Sequence, residues 1–145
     1  MEKLKTLLLV DDSRATNFFN KTMIEKVGCA EEVIVAENGK EALQYLQSGI
    51  SPEIIFLDIN MPVMDGWEFL SEYQKLQNKQ DKSIIVLMLG ASLSSEKEKL
   101  ARSIPEIKEF REKMLSKKIV SDIITKYFGQ NESEVYTKNG DLSDC

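Results

Sequence analysis

The stretch from Ile54 to Leu70, IIFLDINMPVMDGWEFL, contains the strand, loop and helix pattern from which the fold is predicted. It opens with an apolar, β-rich run that forms a predicted strand, Glu53 to Leu57. The acid Asp58 follows directly, a turn with proline and glycine comes next, and Phe69 and Tyr73 then recur at helical spacing. The segment therefore predicts a buried strand, an acidic loop and a helix.

The same alternation of strand and helix recurs along the chain, five times in all. The four other predicted strands are Lys5 to Val10, Glu32 to Ala36, Ser83 to Leu89 and Ile107 to Arg111. The first, third and fourth strands are almost wholly apolar, which is typical of strands covered on both faces. The alternation predicts an α/β fold, a doubly wound parallel sheet with helices on both faces and right-handed crossovers.

The helices are predicted from apolar residues spaced three and four apart. The residues expected to face the core are Phe19, Met23 and Val27, then Ala42 and Leu46, then Phe69, Tyr73 and Leu76, and finally Ile119, Ile123 and Tyr127. The fourth helix, roughly Ser94 to Ser103, is weakly apolar, with Leu93, Leu100 and Ile104 available to bury. We expect it to be the most mobile helix.

Length and composition fit one folded domain. The 145 residues are 42% hydrophobic and 30% charged, as in an ordinary globular protein. Residues 1–128 form the expected domain, whereas residues 129–145 are polar, acidic and without periodicity, so we expect a disordered tail there. The longest apolar run, Ile84 to Leu89, is far too short to span a membrane, and no membrane contact is expected.

Composition also excludes several classes of chemistry. Histidine is absent, which removes Ser-His and Cys-His triads and imidazole metal sites. The two cysteines, Cys29 and Cys145, form neither a disulfide framework nor a four-ligand zinc site, so a reducing cytoplasm is expected. The net charge is -5, and the chain lacks the basic face that nucleic acid requires, so direct nucleic-acid binding is not expected.

Three acids and one lysine follow the ends of predicted strands. Asp11 and Asp12 come after the first strand, Asp58 after the third, and Lys113 after the fifth. A doubly wound sheet has its binding site at the carboxyl ends of the strands, so these side chains are expected to converge. Three close carboxylates repel one another unless a cation such as Mg²⁺ lies among them. Mg²⁺ and an ammonium group would neutralise phosphoryl oxygens while one carboxylate attacks phosphorus.

Each of these residues also has a purely structural interpretation. Asp12 or Ser13 caps the first helix, Asp58 is a turn residue, and Lys113 is a solvated surface lysine. Taken one at a time, these interpretations are the commoner ones. The joint placement of the acids and the lysine after three separate strands is much harder to obtain from capping and solubility alone.

Three motifs resemble those of response-regulator receiver domains, the phosphoacceptor modules of two-component signalling. The motifs are LLLVDDS at 7–13, AENGKEAL at 36–43 and the stretch at 54–70, and the resemblance covers Leu4 to about Phe128. It implies a (βα)5 flavodoxin-like three-layer sandwich whose parallel five-stranded sheet has the order 2-1-3-4-5. The segment at 54–70 is the most specific of the three.

The resemblance also implies a role for each matching residue. Asp58 is the phosphorylated carboxylate, and Asp11 and Asp12 hold Mg²⁺ directly or through water. Asn60 supplies its backbone carbonyl to the metal, and Lys113 contacts a phosphoryl oxygen. In the same way, the Asp65-Gly66 pair ends the acceptor loop and starts the third helix.

The first departure from the family pattern is Gly90, which stands where the family has a Thr or Ser hydroxyl. The missing hydrogen bond to a phosphoryl oxygen is worth about 1.5–3 kcal/mol, although the backbone N–H of Ala91 remains as a donor. Phe110 occupies the switch-aromatic position, and an aromatic in a fifth strand is also explained as plain core. With no hydroxyl to move, we expect slower or weaker activation, or a different readout through the fourth helix, fifth strand and fifth helix.

The second departure is Met114, which stands where the family usually has a proline joined to the lysine by a cis peptide bond. A cis bond before a residue other than proline costs about 2.5–4 kcal/mol, so a trans Lys113–Met114 peptide is predicted. The trans bond in turn leads us to expect that the ammonium is displaced from its usual position.

Other site types fit the sequence poorly. The segment 58–66 begins like a calcium loop, but Pro62 and Val63 stand where an acid or amide and then glycine are required. Phosphatases of the haloacid-dehalogenase type resemble Asp-x-Asp, and here Asn60 leaves no general acid. No two glycines are closer than ten residues, which excludes phosphate-binding loops of the P-loop and dinucleotide kinds. Asn38-Gly39 predicts a helix start rather than a hairpin, because helical spacing follows it.

The leading hypothesis is a stand-alone receiver that accepts a phosphoryl group on Asp58 from a histidine kinase or histidine phosphotransfer protein. The resemblance places kinase docking near the first helix and effector contact on the fourth helix, fifth strand and fifth helix. The only chemistry expected is self-phosphorylation and self-dephosphorylation, not that of an enzyme. The alternative is a receiver-fold interaction module that works without phosphorylation, as Gly90 and Met114 indicate. A Mg²⁺-dependent phosphatase is the least supported hypothesis, because no general acid is visible.

Overall fold

The fold is a five-stranded parallel sheet with helices on both faces, seen in a computed structural model whose described residues are 3–76 and 83–129. The strands are β1 (Leu4–Val10), β2 (Ala30–Ala36), β3 (Ile54–Asp58), β4 (Ile84–Leu89) and β5 (Ile107–Glu112). The helices are α1 (Arg14–Val27), α2 (Gly39–Gln47), α3 (Gly66–Gln74), α4 (Ser95–Arg102) and α5 (Lys117–Phe128). The strand order β2-β1-β3-β4-β5 confirms the expected doubly wound sheet.

The sheet separates two hydrophobic cores, because successive side chains of a strand point to opposite faces. Leu8 and Val10 of β1 pack into the core beneath α2 and α3. Leu7 and Leu9 of the same strand pack into the core beneath α1 and α5. The central strand β3 is buried along its whole length. This burial on both faces explains the continuous apolar runs from which the central strands were predicted.

The buried face of α1 differs from the predicted one. The buried residues of this helix are Asn17, Asn20, Ile24 and Val27. The predicted face of Phe19, Met23 and Val27 is wrong except at Val27, and the side chain of Phe19 is 37% exposed. Two asparagines replace apolar residues on this face because their amides bind the backbone of loops beside the sheet. The polar end of the face thus lies nearest the carboxyl ends of the strands.

The other helices follow their predicted faces more closely. Those expected core residues that are buried are Ala42, Leu46, Phe69, Tyr73 and Ile123, and those that are partly buried are Leu76, Ile119 and Tyr127. In α4 the expected Leu100 is 44% exposed, and the small Ala101 is buried instead. The helix therefore rests on the sheet through little apolar surface, and its mobility stays a prediction.

Helix starts agree with the local sequence. The side chain of Asn38 accepts a hydrogen bond from the backbone N–H of Glu41 at 2.8 Å, so Asn38-Gly39 begins α2 as predicted and forms no hairpin. Ser13 caps α1 by accepting from the N–H of Thr16 at 3.1 Å. Because Ser13 is the cap, the capping interpretation of Asp12 is wrong.

The edge strand β5 is tied to α5 by a group of polar side chains. The carboxylate of Glu109 accepts hydrogen bonds from Lys126 Nζ at 2.8 Å and Tyr127 Oη at 2.6 Å. Burial raises the pKa of Glu109, but these two hydrogen bonds together with the positive charges of Lys126 and Arg111 outweigh it and hold the pKa below its ordinary value. On the other side of β5, the guanidinium of Arg102 lies 5.1 Å from the ring centre of Phe110. The surface formed by α4, β5 and α5 is therefore linked by side chains across all three elements.

Within residues 3–76 and 83–129, no helix has the length and apolar character needed to cross a bilayer. The predicted acidic tail falls almost entirely on residues 130–145, which lie outside the described residues. Its disorder stays a prediction.

Candidate functional site

Strand register brings the three acids together at one edge of the sheet. Val10 of β1 pairs with Leu57 of β3, so Asp11 and Asp58 come next to each other where these strands end. One carboxylate oxygen from each of Asp11, Asp12 and Asp58 can be chosen so that all lie within 4.8 Å of one another. Asp11 and Asp58 are only 5% and 2% exposed, whereas Asp12 is exposed. The convergence expected from the strand ends is present.

Lys113 completes this cluster from the end of β5. Its ammonium Nζ lies 3.1 Å from Oδ1 of Asp58 and 3.7 Å from Oδ2 of Asp11. Its backbone N–H donates to the carbonyl of Leu89 at 3.2 Å, which holds the lysine beside the end of β4. The ammonium is therefore at the acceptor, and the expectation that a trans peptide displaces it is wrong.

The backbone after Lys113 shows how a trans peptide is accommodated. The Lys113–Met114 peptide is trans, as predicted. Met114 adopts φ of 73°, in the left-handed region that residues with side chains rarely occupy. The next N–H, that of Leu115, donates to the buried Oδ1 of Asn20 at 2.8 Å. The chain therefore turns at Met114, and the hydrogen bond to Asn20 fixes the backbone again at Leu115.

Burial and charge together shift the pKa values of Asp11 and Lys113. Burial raises the pKa of Asp11, the negative charge of Asp58 raises it further, and the hydrogen bond from the N–H of Ser13 only partly opposes them. Burial lowers the pKa of Lys113, but its hydrogen bond to Asp58 and the surrounding carboxylates outweigh it and raise the pKa. The lysine is a fixed positive charge at neutral pH, and Asp11 binds its proton more tightly than an ordinary aspartate.

The donor set fits a hard divalent cation. All three side chains offer carboxylate oxygens, which are the ligands that Mg²⁺ prefers. Oδ1 of Asp58 is paired with Lys113, whereas Oδ2 is buried and has no hydrogen-bond partner within residues 3–76 and 83–129. A buried carboxylate oxygen without a partner is costly unless a cation or donor joins it.

A cavity of about 240 Å³ gives room beside the acceptor. Among the residues that line it are Asp58, Asn60, Trp67, Gly90 and Lys113. A Cβ atom at Gly90 would meet the Lys113 side chain at 3.8 Å, an ordinary contact, so the backbone here leaves space for a Cβ. The cavity therefore has space for a small group bound to Asp58.

The loop between β3 and α3 is shaped by local hydrogen bonds. Asp65 caps α3 in a capping box with Glu68, two bonds of 2.9 Å each, which places the helix start at Asp65-Gly66 as predicted. The N–H of Gly66 donates to the carbonyl of Ile59 at 2.7 Å. Val63 has φ of 68° and lies in a three-residue turn closed by a bond from Met64 N–H to the carbonyl of Pro62 at 2.7 Å. The loop is thus tightly folded around the acceptor.

The remaining predicted site residues surround the same edge. Asn60 is exposed, and its backbone role toward a metal stays a prediction. Ala91 is exposed beside Gly90 and lines the same cavity. Phe110 is partly buried against the core beneath α2 and α3, so both its switch interpretation and its core interpretation remain open.

Asn17 and Asn20 contact this site and were not found from the sequence. Nδ2 of Asn17 donates to the backbone carbonyl of Asp11 at 2.7 Å, and Asn20 accepts from the N–H of Leu115. The two asparagines stand three residues apart and continue with Ile24 and Val27 at helical spacing. This spacing indicates that the two asparagines belong to the buried face of the helix. A helix prediction based on apolar residues alone leaves them out.

Comparisons with known proteins agree with this geometry. The response regulator receiver domain family matches residues 7–126. The response regulator Rcp1 of Synechocystis sp. is 33% identical over 94 residues, which are 61% of this chain and 63% of Rcp1. A protein-glutamate methylesterase/protein-glutamine glutaminase of Rhodospirillum rubrum is 45% identical over 73 residues, which are 50% of this chain and 19% of that protein.

Solved structures show the same fold. The crystal structure of a two component response regulator from Cytophaga hutchinsonii superposes with a TM-score of 0.76 at 29% identity, covering 86% of this chain and 97% of that one. The curated relatives above are matched over less than two thirds of their own length. The family match covers most of the chain and includes all three clustered acids and the lysine. The chain therefore belongs to the response regulator receiver domain family.

Proposed function

We propose that residues 1–128 form a receiver domain that accepts a phosphoryl group on Asp58 from a histidine kinase or histidine phosphotransfer protein in the cytoplasm. The observation that carries this proposal is the difference between the surroundings of the two carboxylate oxygens of Asp58. One of its oxygens is paired with Lys113, and the other is buried beside the carboxylates of Asp11 and Asp12 with no hydrogen-bond partner in the part of the chain that the structure describes. This arrangement suits a nucleophile that works next to a cation.

The residues that would hold Mg²⁺ are Asp11, Asp12, Asp58 and the backbone carbonyl of Asn60. When bound, the ion supplies a double positive charge that neutralises the oxygens of the transferred group. An oxygen of Asp58 forms a bond to phosphorus while the bond from phosphorus to the donor's imidazole nitrogen breaks, and that nitrogen keeps the electron pair. The ammonium of Lys113, already 3.1 Å from Asp58, stabilises the negative charge on the phosphoryl oxygens.

The proposed readout is a protein contact on the surface formed by α4, β5 and α5. Leu100 of α4 is 44% exposed there, and the Arg102–Phe110 contact joins α4 to β5. The Glu109 carboxylate joins β5 to α5. A shift of α4 would therefore change the face that an effector protein meets.

Incubation with Mg²⁺ and acetyl phosphate, followed by intact-mass measurement, tests the proposal. We expect a labile phosphoryl adduct in the parent protein, and none in Asp58→Asn or when the metal is chelated. Transfer from acetyl phosphate breaks its phosphorus–oxygen bond and releases acetate, so no further reactant is needed. An adduct that persists in Asp58→Asn would contradict the proposal. Steady release of phosphate without an adduct would instead indicate a phosphatase.

A receiver-fold interaction module that works without phosphorylation is a second candidate function, and Gly90 is the observation that favours it. The hydroxyl-bearing residue of the family is missing, although a Cβ atom at this position would make only ordinary contacts. No adduct in the parent protein, together with an intact fold, would support this candidate.

Gly90→Thr is expected to strengthen the binding of a phosphoryl analogue. The added hydroxyl supplies a charge-assisted hydrogen bond worth about 1.5–3 kcal/mol, which corresponds to roughly tenfold or more in affinity. Titration with beryllofluoride in the presence of Mg²⁺ measures it, with fluorescence of the single tryptophan, Trp67, as the signal because this residue lines the same cavity. Equal affinity and an equal spectral change in Gly90→Thr and the parent would count against a role for the missing hydroxyl.

A further inference from the structure

Two buried asparagines of α1 bind the two loops that carry the acids and the lysine. We propose that Asn17 and Asn20 are positioning residues, Asn17 for the metal-ligand loop and Asn20 for the Lys113 loop. This inference rests on the proposed function, because it assigns the two side chains to separate parts of the same site. Asn17 and Asn20 are 3% and 4% exposed, so neither amide has solvent as an easy alternative partner.

The Asn17 contact fixes the backbone from which two acids project. Its Nδ2 donates to the carbonyl of Asp11 at 2.7 Å. On the same residue, the backbone N–H of Asp11 donates to the carbonyl of Ala36 at 3.1 Å, and Oδ1 accepts from the N–H of Ser13 at 2.8 Å. Asp11 is thereby held at its amide, its carbonyl and its carboxylate. Loss of the Asn17 bond releases the carbonyl, which lies in the peptide that joins Asp11 to Asp12.

The Asn20 contact fixes the chain behind the lysine. Lys113 is held on one side by the bond from its N–H to the carbonyl of Leu89. Two residues later, the N–H of Leu115 donates to Oδ1 of Asn20 at 2.8 Å. Between these bonds lies Met114 at φ 73°, a strained conformation that persists only where surrounding contacts hold it. Asn20 supplies that constraint and so keeps the ammonium over Asp58.

The two contacts are separable because they reach different loops from one helix face. Residues three apart on a helix lie on the same side, one turn from each other. Asn17 reaches the loop after β1, and Asn20 reaches the loop after β5. A general loss of packing would impair both halves of the site together, whereas positioning roles predict two different defects.

Asn17→Leu and Asn20→Leu, which keep the side-chain volume, test this prediction. For Asn17→Leu we expect the Mg²⁺ dissociation constant, measured by calorimetry, to rise about 10–100-fold, as for other residues that orient metal ligands. For Asn20→Leu we expect an unchanged Mg²⁺ dissociation constant and a rate of adduct formation, at saturating Mg²⁺, that is about 10–100-fold lower. If either leucine variant does not fold, the alanine variant at that position carries the same expectation.

Two further variants serve as controls. Ser83→Ala removes a buried bond from a side chain to the carbonyl of Pro52 at the opposite end of the sheet, so it matches the loss of a buried contact without touching the site. We expect it to change neither the Mg²⁺ affinity nor the adduct rate. Asn20→Asp retains an acceptor oxygen for the N–H of Leu115, and we expect it to recover adduct formation toward the parent rate.

The pattern of defects decides the inference. Equal losses of Mg²⁺ affinity and adduct rate in both leucine variants, or no loss in either, would overturn it. If the parent binds Mg²⁺ but forms no adduct, the proposed function and the Asn20 role fail. In that case a raised Mg²⁺ dissociation constant in Asn17→Leu still supports the Asn17 role, and an unchanged one overturns it.

Discussion

Replacing Gly66 with alanine is expected to lower the free energy of unfolding by about 3 kcal/mol, toward the upper end of the cost of overpacked sites. A Cβ atom at this position would lie 2.7 Å from the carbonyl oxygen of Asp58 and 2.8 Å from Cα of Ile59. Both are backbone atoms, so the clash is relieved only by moving the acceptor loop or the start of α3. Because Asp58 ends β3 where that loop begins, phosphorylation is expected to fall together with stability.

Urea unfolding followed by circular dichroism measures the effect as a lower midpoint at unchanged slope. Gly90→Ala is the matched control, since its Cβ would meet only the Lys113 side chain at 3.8 Å or more. We expect that control to change the free energy of unfolding by less than about 1 kcal/mol. Similar losses in both variants would show that the close approach at Gly66 is not what limits the substitution.

Asp11→Asn is expected to stabilise the protein without Mg²⁺ and to destabilise it relative to the parent with Mg²⁺. The carboxylate is buried beside Asp58, and both features raise its pKa. Removing one of two neighbouring buried carboxylates relieves the cost of burying its charge and the repulsion from Asp58. Lys113 keeps Asp58 as its partner and the amide keeps an acceptor for Ser13, so the free energy of unfolding without Mg²⁺ is expected to rise. With Mg²⁺, the parent gains about 1.4 kcal/mol for each tenfold excess of ion over its dissociation constant, and the variant loses that gain.

The raised pKa of Asp11 also gives the sign of the pH dependence of the stability difference between Asp11→Asn and the parent when Mg²⁺ is chelated. A group whose pKa is higher in the folded state favours folding when protonated, so its contribution is full below the ordinary value of 3.8 and is lost as the pH rises through the raised pKa. The advantage of Asp11→Asn is therefore expected at neutral pH and shrinks in acid. Urea unfolding at several pH values, with chelator and with Mg²⁺, tests both signs. A variant that is less stable in chelator at neutral pH, or a difference that Mg²⁺ leaves unchanged, would contradict the account.

The sheet could be predicted from the local sequence pattern. The acid cluster could be predicted from that pattern together with the rule that the carboxyl ends of parallel strands lie at one edge of the sheet. Apolar runs of strand length marked each strand to within two residues of its observed ends. Parallel strands deliver whatever follows them to a common edge, so Asp11, Asp58 and Lys113 met as expected. Neither step required knowledge of a side-chain contact.

The details that escaped prediction depend on contacts between distant segments. The face of α1 was misplaced because Asn17 and Asn20 are buried only by virtue of bonds to loops elsewhere in the chain. The Lys113 ammonium was expected to move because a trans peptide was considered alone, without the turn at Met114 that compensates for it. In α4, Ala101 rather than Leu100 faces the core. Helical spacing does not distinguish these adjacent positions in a short, charged helix.

Chemical mapping of the phosphorylated residue tests the central claim most directly. Borohydride reduces an aspartyl phosphate to homoserine, so treatment after incubation with acetyl phosphate leaves a permanent mark that peptide mass spectrometry can locate. The account predicts homoserine at position 58 alone, and only when Mg²⁺ was present during the incubation. Homoserine at another aspartate, or at position 58 to the same extent in chelator, would contradict it.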